Sequence, residues 1–408
     1  MIETSEGMPT VSQFARSGQV FPKTSVGLQQ SPIPTVRDDS SAVDFNNSVT
    51  VSVVIPAYKA SGCIAATLDS VLAQTFSDYE IVVVNDGSPD TQALEQVLQE
   101  YLPRIRYFKQ ENRGPSSSRN RGIVEAQGEY VAFLDADDFW LPEHLASQIA
   151  ILRGTPSLGL VYSDSLVVRD GKCIRKTFDR EPQEKPVTFE ALLGERCTVS
   201  TSTTVASRKE LLAAGLFDEG MTRCEDFDLW LRMAFQGTRM TFSPQSHVYR
   251  MVSGSGLSSN RYEMKRALID VYRKIDSSLP LSQTQKELLK QRCERTEAIA
   301  QLDLVKEFIH AGDYEKALSS AKRASSVLGS WRVHLAVIAL ARAPRWFGTY
   351  YRAHEQVLSM FNRVQAAWAE RKLRMFKPMV PLSRTPSPVG LQQSSSVSQP
   401  LGGPVNGR

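Results

Sequence analysis

Cysteine is scarce in this chain and badly placed for structural duty. The 408 residues hold five, Cys63, Cys173, Cys197, Cys224 and Cys293, an odd number with no CxxC pair, so neither a disulfide framework nor a zinc site is indicated. A reducing compartment suits that usage. Long apolar runs are missing too. The longest, 335–341, is far short of the ~20 residues that a spanning helix needs. The start carries acids at Glu3 and Glu6 and no apolar stretch behind a basic segment, so it does not read as a secretory signal. Charge of one sign is lacking as well: a formal net of +4 over this length gives no basic footprint for nucleic acid. The expectation is a cytoplasmic protein, with any membrane contact peripheral and at the inner face of the plasma membrane.

Four regions emerge. Residues 1–48 and 378–408 are rich in Ser, Pro, Gln and Gly and cannot bury enough apolar area to offset ordering entropy, so they read as disordered tails. Both contain Val-Gly-Leu-Gln-Gln-Ser, at 26–31 and 389–394, which fits either a shared docking peptide or a coincidence of composition. Residues 49–258 alternate β-branched runs with helical patterns, which predicts an α/β domain with a mainly parallel sheet. The runs 51–55, 81–84, 105–108 and 130–134 read as strands buried on both faces. Ile64, Leu68, Val71 and Leu72 make the stripe of a helix between the first two. Pro142 and Glu143 are expected to open another, with the proline in its first turn. Residues 259–377 carry long helical patterns and no strand signal, so an α-helical extension follows a boundary near Asn260. Within it, 311–318 looks like one helix of a tetratricopeptide-type repeat, yet no second copy follows at a period of about 34 residues, so a plain extension is expected.

Ligands of open α/β sheets bind beyond the carboxyl ends of strands, which directs attention to the polar residues after each run. Pro56-Ala57-Tyr58 follows the first, Asn85-Asp86-Gly87-Ser88 the second and Asp135-Ala136-Asp137-Asp138 the fourth. Asp86 suits hydrogen bonds from a uracil-like imide or a ribose, and equally suits an Asx turn or a cap for a helix near Asp90. Three carboxylates within four residues repel one another unless a cation or solvent relieves them. A hard divalent ion, Mg²⁺ or Mn²⁺, would do so while gripping a diphosphate; a solvated acidic loop is the plainer alternative. Further on, Glu225, Asp226 and Asp228 open a helix, where acids suit the dipole and where one of them can serve as a general base. Gly254-Ser255-Gly256 fits either a loop closing over a donor or a surface turn.

The ordered set 53–58, 84–88, Asn112-Arg113-Gly114 with 118–123, 133–138, 215–219 and 225–232 resembles the family 2 glycosyltransferases of GT-A fold. The resemblance covers about 49–258. It implies that Pro56, Ala57 and Tyr58 line a nucleotide pocket, that Asp86 meets the base and that Arg119 supports base or phosphates. Asp135 would contact the ribose or a metal-bound water, Asp137 would ligate the metal, Asp226 would be the catalytic base and Glu225 would shape the acceptor site. The chain departs from the family after Tyr249-Arg250, where many relatives carry a histidine and this one has Met251, although His247 lies just before. The implied reaction is inverting transfer from a nucleotide-diphosphate sugar, a UDP-sugar first among them, to a glycan or lipid-linked hydroxyl in polysaccharide or glycolipid synthesis. A hydrolase using the same acids, or a scaffold with an inert transferase domain, are the competing readings. The basic-aromatic segment 342–352 is the candidate for a membrane surface, with packing onto the catalytic domain as its alternative.

Overall fold

The computed structural model describes residues 49–181, 183–252 and 260–354. Both tails with their shared string, the end of the helical extension and the loop at 254–256 lie outside the described residues.

The first half is parallel. Strands β1 (Val51–Ala57), β2 (Tyr79–Asp86), β3 (Arg106–Gln110) and β4 (Tyr130–Phe133) follow the apolar runs, with β1 pairing in parallel with β2 and β4, and β2 with β3. The crossovers carry helices α1 (Ile64–Leu72), α2 (Thr91–Leu98) and α3 (Pro115–Glu125). Val54 packs into one core and Val53 and Ile55 into the other, so both faces of β1 are buried and the run is apolar without a break.

Beyond β4 the sheet is mixed. It gains β5 (Phe139–Trp140), β6 (Leu158–Arg169), β7 (Lys172–Lys176), β8 (Thr204–Ser207) and β9 (Arg239–Met251). The order is β3-β2-β1-β4-β8-β6-β9-β5, with β7 on β6; β8 runs antiparallel to β4 and β6, while β6 and β9 are parallel. The order reverses between β1 and β4, which opens a crevice at their carboxyl ends.

Helix α4 (His144–Gly154) starts later than its proline suggested. The Leu141 amide is taken by the His247 carbonyl and the Pro142 carbonyl accepts from Thr75, so Pro142 belongs to the turn before the helix. The remaining helices are α5 (Phe189–Leu193), α6 (Arg208–Ala213), α7 (Glu225–Phe235), α8 (Arg261–Ser278), α9 (Gln283–Ala311), α10 (Tyr314–Leu328) and α11 (Trp331–Arg342). The string at 311–318 is a junction and not one helix. Gly312 ends α9 in the left-handed region at φ 77°, and the Asp313 side chain caps α10 by accepting from the Lys316 amide. Helix α8 shares its core with α7: Val271, Tyr272 and Ile275 pack with Leu229 and Trp230. Among the described residues, those up to Gly348 belong to one compact unit and 349–354 to another.

Helix α3 lies tight against β1 because Gly122 has no side chain. A Cβ there would come within 2.3 Å of Val54 Cγ1, on a strand residue with no exposure. Gly122→Ala gains about 1 kcal/mol of helix propensity, while overpacking costs about 1–3 kcal/mol. The variant is therefore expected to unfold at lower urea concentration than the native chain, and an unchanged or raised midpoint would contradict the close approach.

Candidate active site

A cleft of about 760 Å³ opens at the carboxyl ends of β1, β2 and β4, lined by Pro56, Ala57, Tyr58, Asp86, Arg119, Asp135, Asp137, Glu225 and Asp226 among others. All nine residues singled out in the sequence meet there.

On one side β1 delivers Pro56, Ala57 and Tyr58. Tyr58 stays 47% exposed, and Lys59 turns the chain away at φ 53° with its amide bonded to Ser88 Oγ at 2.6 Å. Asp86 is buried and fully engaged: Oδ1 accepts from Gln110 Nε2 at 2.8 Å and the Arg113 amide at 3.0 Å, Oδ2 from the Gly114 amide at 2.8 Å. It thus clamps the turn that leads into α3, in which Gly114 stands at φ 89°. Asp90 precedes α2, and its carboxylate accepts from the Ser61 amide, so Asp86 caps neither helix directly.

The acid triplet splits. Asp138 is buried and accepts from the Met251 amide at 2.7 Å, which ties the loop to the end of β9; burial, then the charges of Asp135 and Asp137, hold its carboxyl well above the usual range. All three line the cleft, but Asp135 and Asp137 are less buried than Asp138. Burial and then the Asp135 charge raise the Asp137 carboxyl, the state of a group short of positive charge. No three His, Cys, Asp or Glu side chains form a metal cage among the described residues. The two less buried acids, Asp135 and Asp137, instead fit Mg²⁺ or Mn²⁺, which take one or two carboxylates and draw remaining oxygens from phosphates and water.

Across the cleft α7 begins. Asp226 is half-buried, with Thr201 Oγ1 donating to Oδ2 at 3.0 Å and the Phe227 amide to Oδ1 at 2.7 Å. Burial first, then the charge of Glu225, push its carboxyl up to about 6, against the opposing pull of Arg119. Asp228 points elsewhere: it is fully buried, paired with Arg232 at 2.7 Å and with Lys274 of α8 at 2.9 Å. Of the three acids opening the helix, only Glu225 and Asp226 line the cleft.

Arg119 joins the two sides. Its side chain is 7% exposed; one terminal nitrogen donates to Glu225 at 2.8 Å and the other to Asp135 at 2.7 Å. The guanidinium lies 5.6 Å from the Phe217 ring centroid, and Asn120 holds Phe217 by a pair of backbone bonds at 2.8 and 2.9 Å.

Several lining residues had no sequence signal. Thr201 comes from a Ser/Thr-rich stretch without a recognisable pattern, and Met264 comes from α8, beyond the boundary drawn near Asn260. Arg250 bonds Ser200 Oγ at 3.3 Å at the cleft edge; His247 is not a lining residue, and its carbonyl serves Leu141. Cys63 and Cys224 line the cleft, but burial and neighbouring acids push them up to about 11 and about 12, so both remain thiols.

The sequence profile of Glycosyl transferase family 2 matches residues 52–185. The amylovoran biosynthesis glycosyltransferase AmsB of Erwinia amylovora is 31% identical over 229 residues, 54% of this chain and 76% of AmsB. An uncharacterized glycosyltransferase of Rickettsia felis is 31% identical over 186 residues, 45% of this chain; the chain spans only 31% of that relative's length. Among solved structures, S. aureus TarS 1-349 in complex with UDP-GlcNAc is similar in fold, with a TM-score of 0.52 and 19% identity over 76% of this chain and 92% of that one.

The raised carboxyl of Asp226 makes a stability prediction. A folded-state value of about 6 against 3.8 means the ionised form costs stability above about pH 6, and the cost fades as pH falls toward 3.8. Asp226→Asn is therefore expected to be more stable by about 1–3 kcal/mol near pH 7.5, discounted for solvent and for coupling to Glu225. Denaturant midpoints would show the gain near pH 7.5 and lose it near pH 4; equal midpoints at both would refute a strained carboxylate.

Proposed function

Because the chain belongs to glycosyltransferase family 2, we propose that it transfers a sugar with inversion from a nucleotide-diphosphate donor to an acceptor hydroxyl, with Asp226 as the base. The observation that carries the reading is the meeting of Asp226 with Asp135 and Asp137 in one cleft, at the crevice where the strand order reverses. The donor class proposed is a UDP-sugar, supported by TarS, a protein of this fold solved with UDP-GlcNAc. Likeness to a glycosyltransferase of amylovoran biosynthesis supports a setting in polysaccharide or glycolipid assembly, with a glycan or lipid-linked acceptor. The proposed organisation is a transferase region at 49–258 and a helical extension from 259, with Met264 of the extension reaching the cleft.

In this mechanism Pro56, Ala57, Tyr58 and the Asp86 clamp form the nucleotide end. Asp137, with Asp135, would hold Mg²⁺ or Mn²⁺, which supplies positive charge for the departing nucleoside diphosphate. Thr201 and the Phe227 amide orient the Asp226 carboxylate. That carboxylate takes the acceptor proton as the oxygen attacks the anomeric carbon from the face opposite the leaving group. Burial that raises its basicity favours the task, since a base near neutral pH accepts a proton more readily than an ordinary aspartate.

Asp226→Asn is expected to lower kcat by about 10²–10⁴ with little change in donor KM. For the native protein, kcat/KM should rise with pH up to about 6 and then level, because the base must be ionised. A flat profile, or retained configuration in the product, would sink the assignment. Asp137→Asn should abolish the divalent-ion dependence of thermal protection by UDP-sugars, while Asp226→Asn should keep it. Donor consumption that proceeds at full rate without any acceptor would favour hydrolysis instead.

A further inference from the structure

Ten large apolar side chains are exposed among the described residues, and five of them, Val327, Trp331, Leu335, Trp346 and Tyr350, fall within one short stretch. Helix α11 is the centre of it. Its sequence is almost wholly apolar apart from Arg332, His334 and Arg342, yet Leu340 is its one buried residue. Trp331 and Leu335, 67% and 52% exposed, stand one turn apart and share a face.

The charge along this segment of the sequence has one sign. Between Glu315 and Glu355 there is no acid, while Lys316, Lys322, Arg323, Arg332, Arg342, Arg345 and Arg352 are all basic. The near-neutral total of the chain hides this segregation. Lys316 is paired with Asp313, but Arg332 lies against the Trp331 ring at 5.5 Å, a cation beside an exposed indole.

We propose that the face of α11 centred on Trp331 and Leu335, with Arg332, Arg342 and Arg345 around it, docks on an anionic lipid surface. Exposed tryptophan and leucine supply area for burial at the headgroup boundary, and arginines extend their apolar stems over that area while keeping the guanidinium among phosphates. Charge complementarity selects lipid of negative sign: basic residues near such a surface are attracted by its potential. Among the described residues no helix is long and apolar enough to cross a membrane, so the contact is interfacial. The inference stands on this surface alone and does not depend on the transfer reaction.

The test is co-sedimentation of the full chain with vesicles of phosphatidylcholine containing phosphatidylglycerol, against vesicles of phosphatidylcholine alone. Binding is expected to the mixed vesicles only, weakened by high salt, and at least about tenfold weaker for the double variant Trp331→Ser and Leu335→Ser. Each arginine changed to glutamine should weaken it by about fivefold. These side chains are exposed, so the unfolding midpoint and transfer to a soluble acceptor should stay unchanged and serve as the control for folding. No binding to anionic vesicles, or binding that both variants retain, would overturn the proposal. So would a concentration-dependent dimer in sedimentation velocity that the double variant abolishes, since the face would then be covered by a second copy.

Discussion

One buried cation holds the cleft together. Arg119 is taken out of water almost completely, which for a guanidinium costs several kcal/mol unless nearby charges return it. Asp135 and Glu225 do so, one at the end of β4 and the other at the start of α7, 106 residues further along the chain than Arg119. Burial alone would lower its pKa; the two acids outweigh burial and keep it raised. Among the described residues the Nε atom has no partner, so the two terminal nitrogens carry the attachment. Around the cation, Phe217 gives a ring face and Asn120 fixes that ring, which brings the turn near Gly215 into the same lock. Helix α3, the acid loop and helix α7 are therefore positioned by one side chain.

That lock explains how acids can crowd without pushing α7 apart. Three carboxylates open the helix, and the dipole at its N-terminus favours all three alike. Their surroundings separate them. Glu225 spends its charge on Arg119, Asp228 on Arg232 and Lys274, and Asp226 is left with hydrogen bonds from a neutral hydroxyl and an amide. Asp226, the group with the least compensation, has its carboxyl raised and lines the cleft beside Glu225. Cys224, which leads into the helix at φ 58°, occupies the left-handed region that non-glycine residues avoid, so the backbone here is bent at some cost to aim the first turn.

Much of this was legible in the chain itself. Strands buried on both faces leave unbroken apolar runs, so β1, β2 and β4 were visible, and polar residues right after them marked the crevice. Asp135, Asp137 and Asp226 stood out because acids clustered after a core strand or at a helix start need a reason. The mixed half of the sheet was not visible, since antiparallel pairing of β8 with β4 and β6 depends on contacts between distant segments. Nor could the chain show that Arg119 meets Glu225, or that Thr201 orients Asp226: such pairs are made by the fold and leave no local pattern. The string at 311–318 misled because helix-forming residues lie on both sides of Gly312, whose positive φ ends one helix where periodicity alone would continue it.

Ion pairs of the same kind tie α8 to the cleft. Lys274 of α8 reaches Asp218 at 2.6 Å and Asp228 at 2.9 Å, and Asp228 sits one residue past Phe227, whose amide holds Asp226. A fully buried carboxylate cannot be released from its cations without a large penalty, so α8 and α7 move together or not at all. Tyr272 and Ile275 reinforce the joint from the same helix by sharing the core with Trp230. Met264, two turns earlier, reaches the cleft wall on the side of Cys224 and offers its carbonyl to that thiol at 3.8 Å. An independent appendage would have no reason to place an ion pair against α7 and a residue in the cleft lining. Helix α8 is better understood as part of the cleft wall, and Asp226 keeps its aim because α8 is anchored to α7 through Asp228.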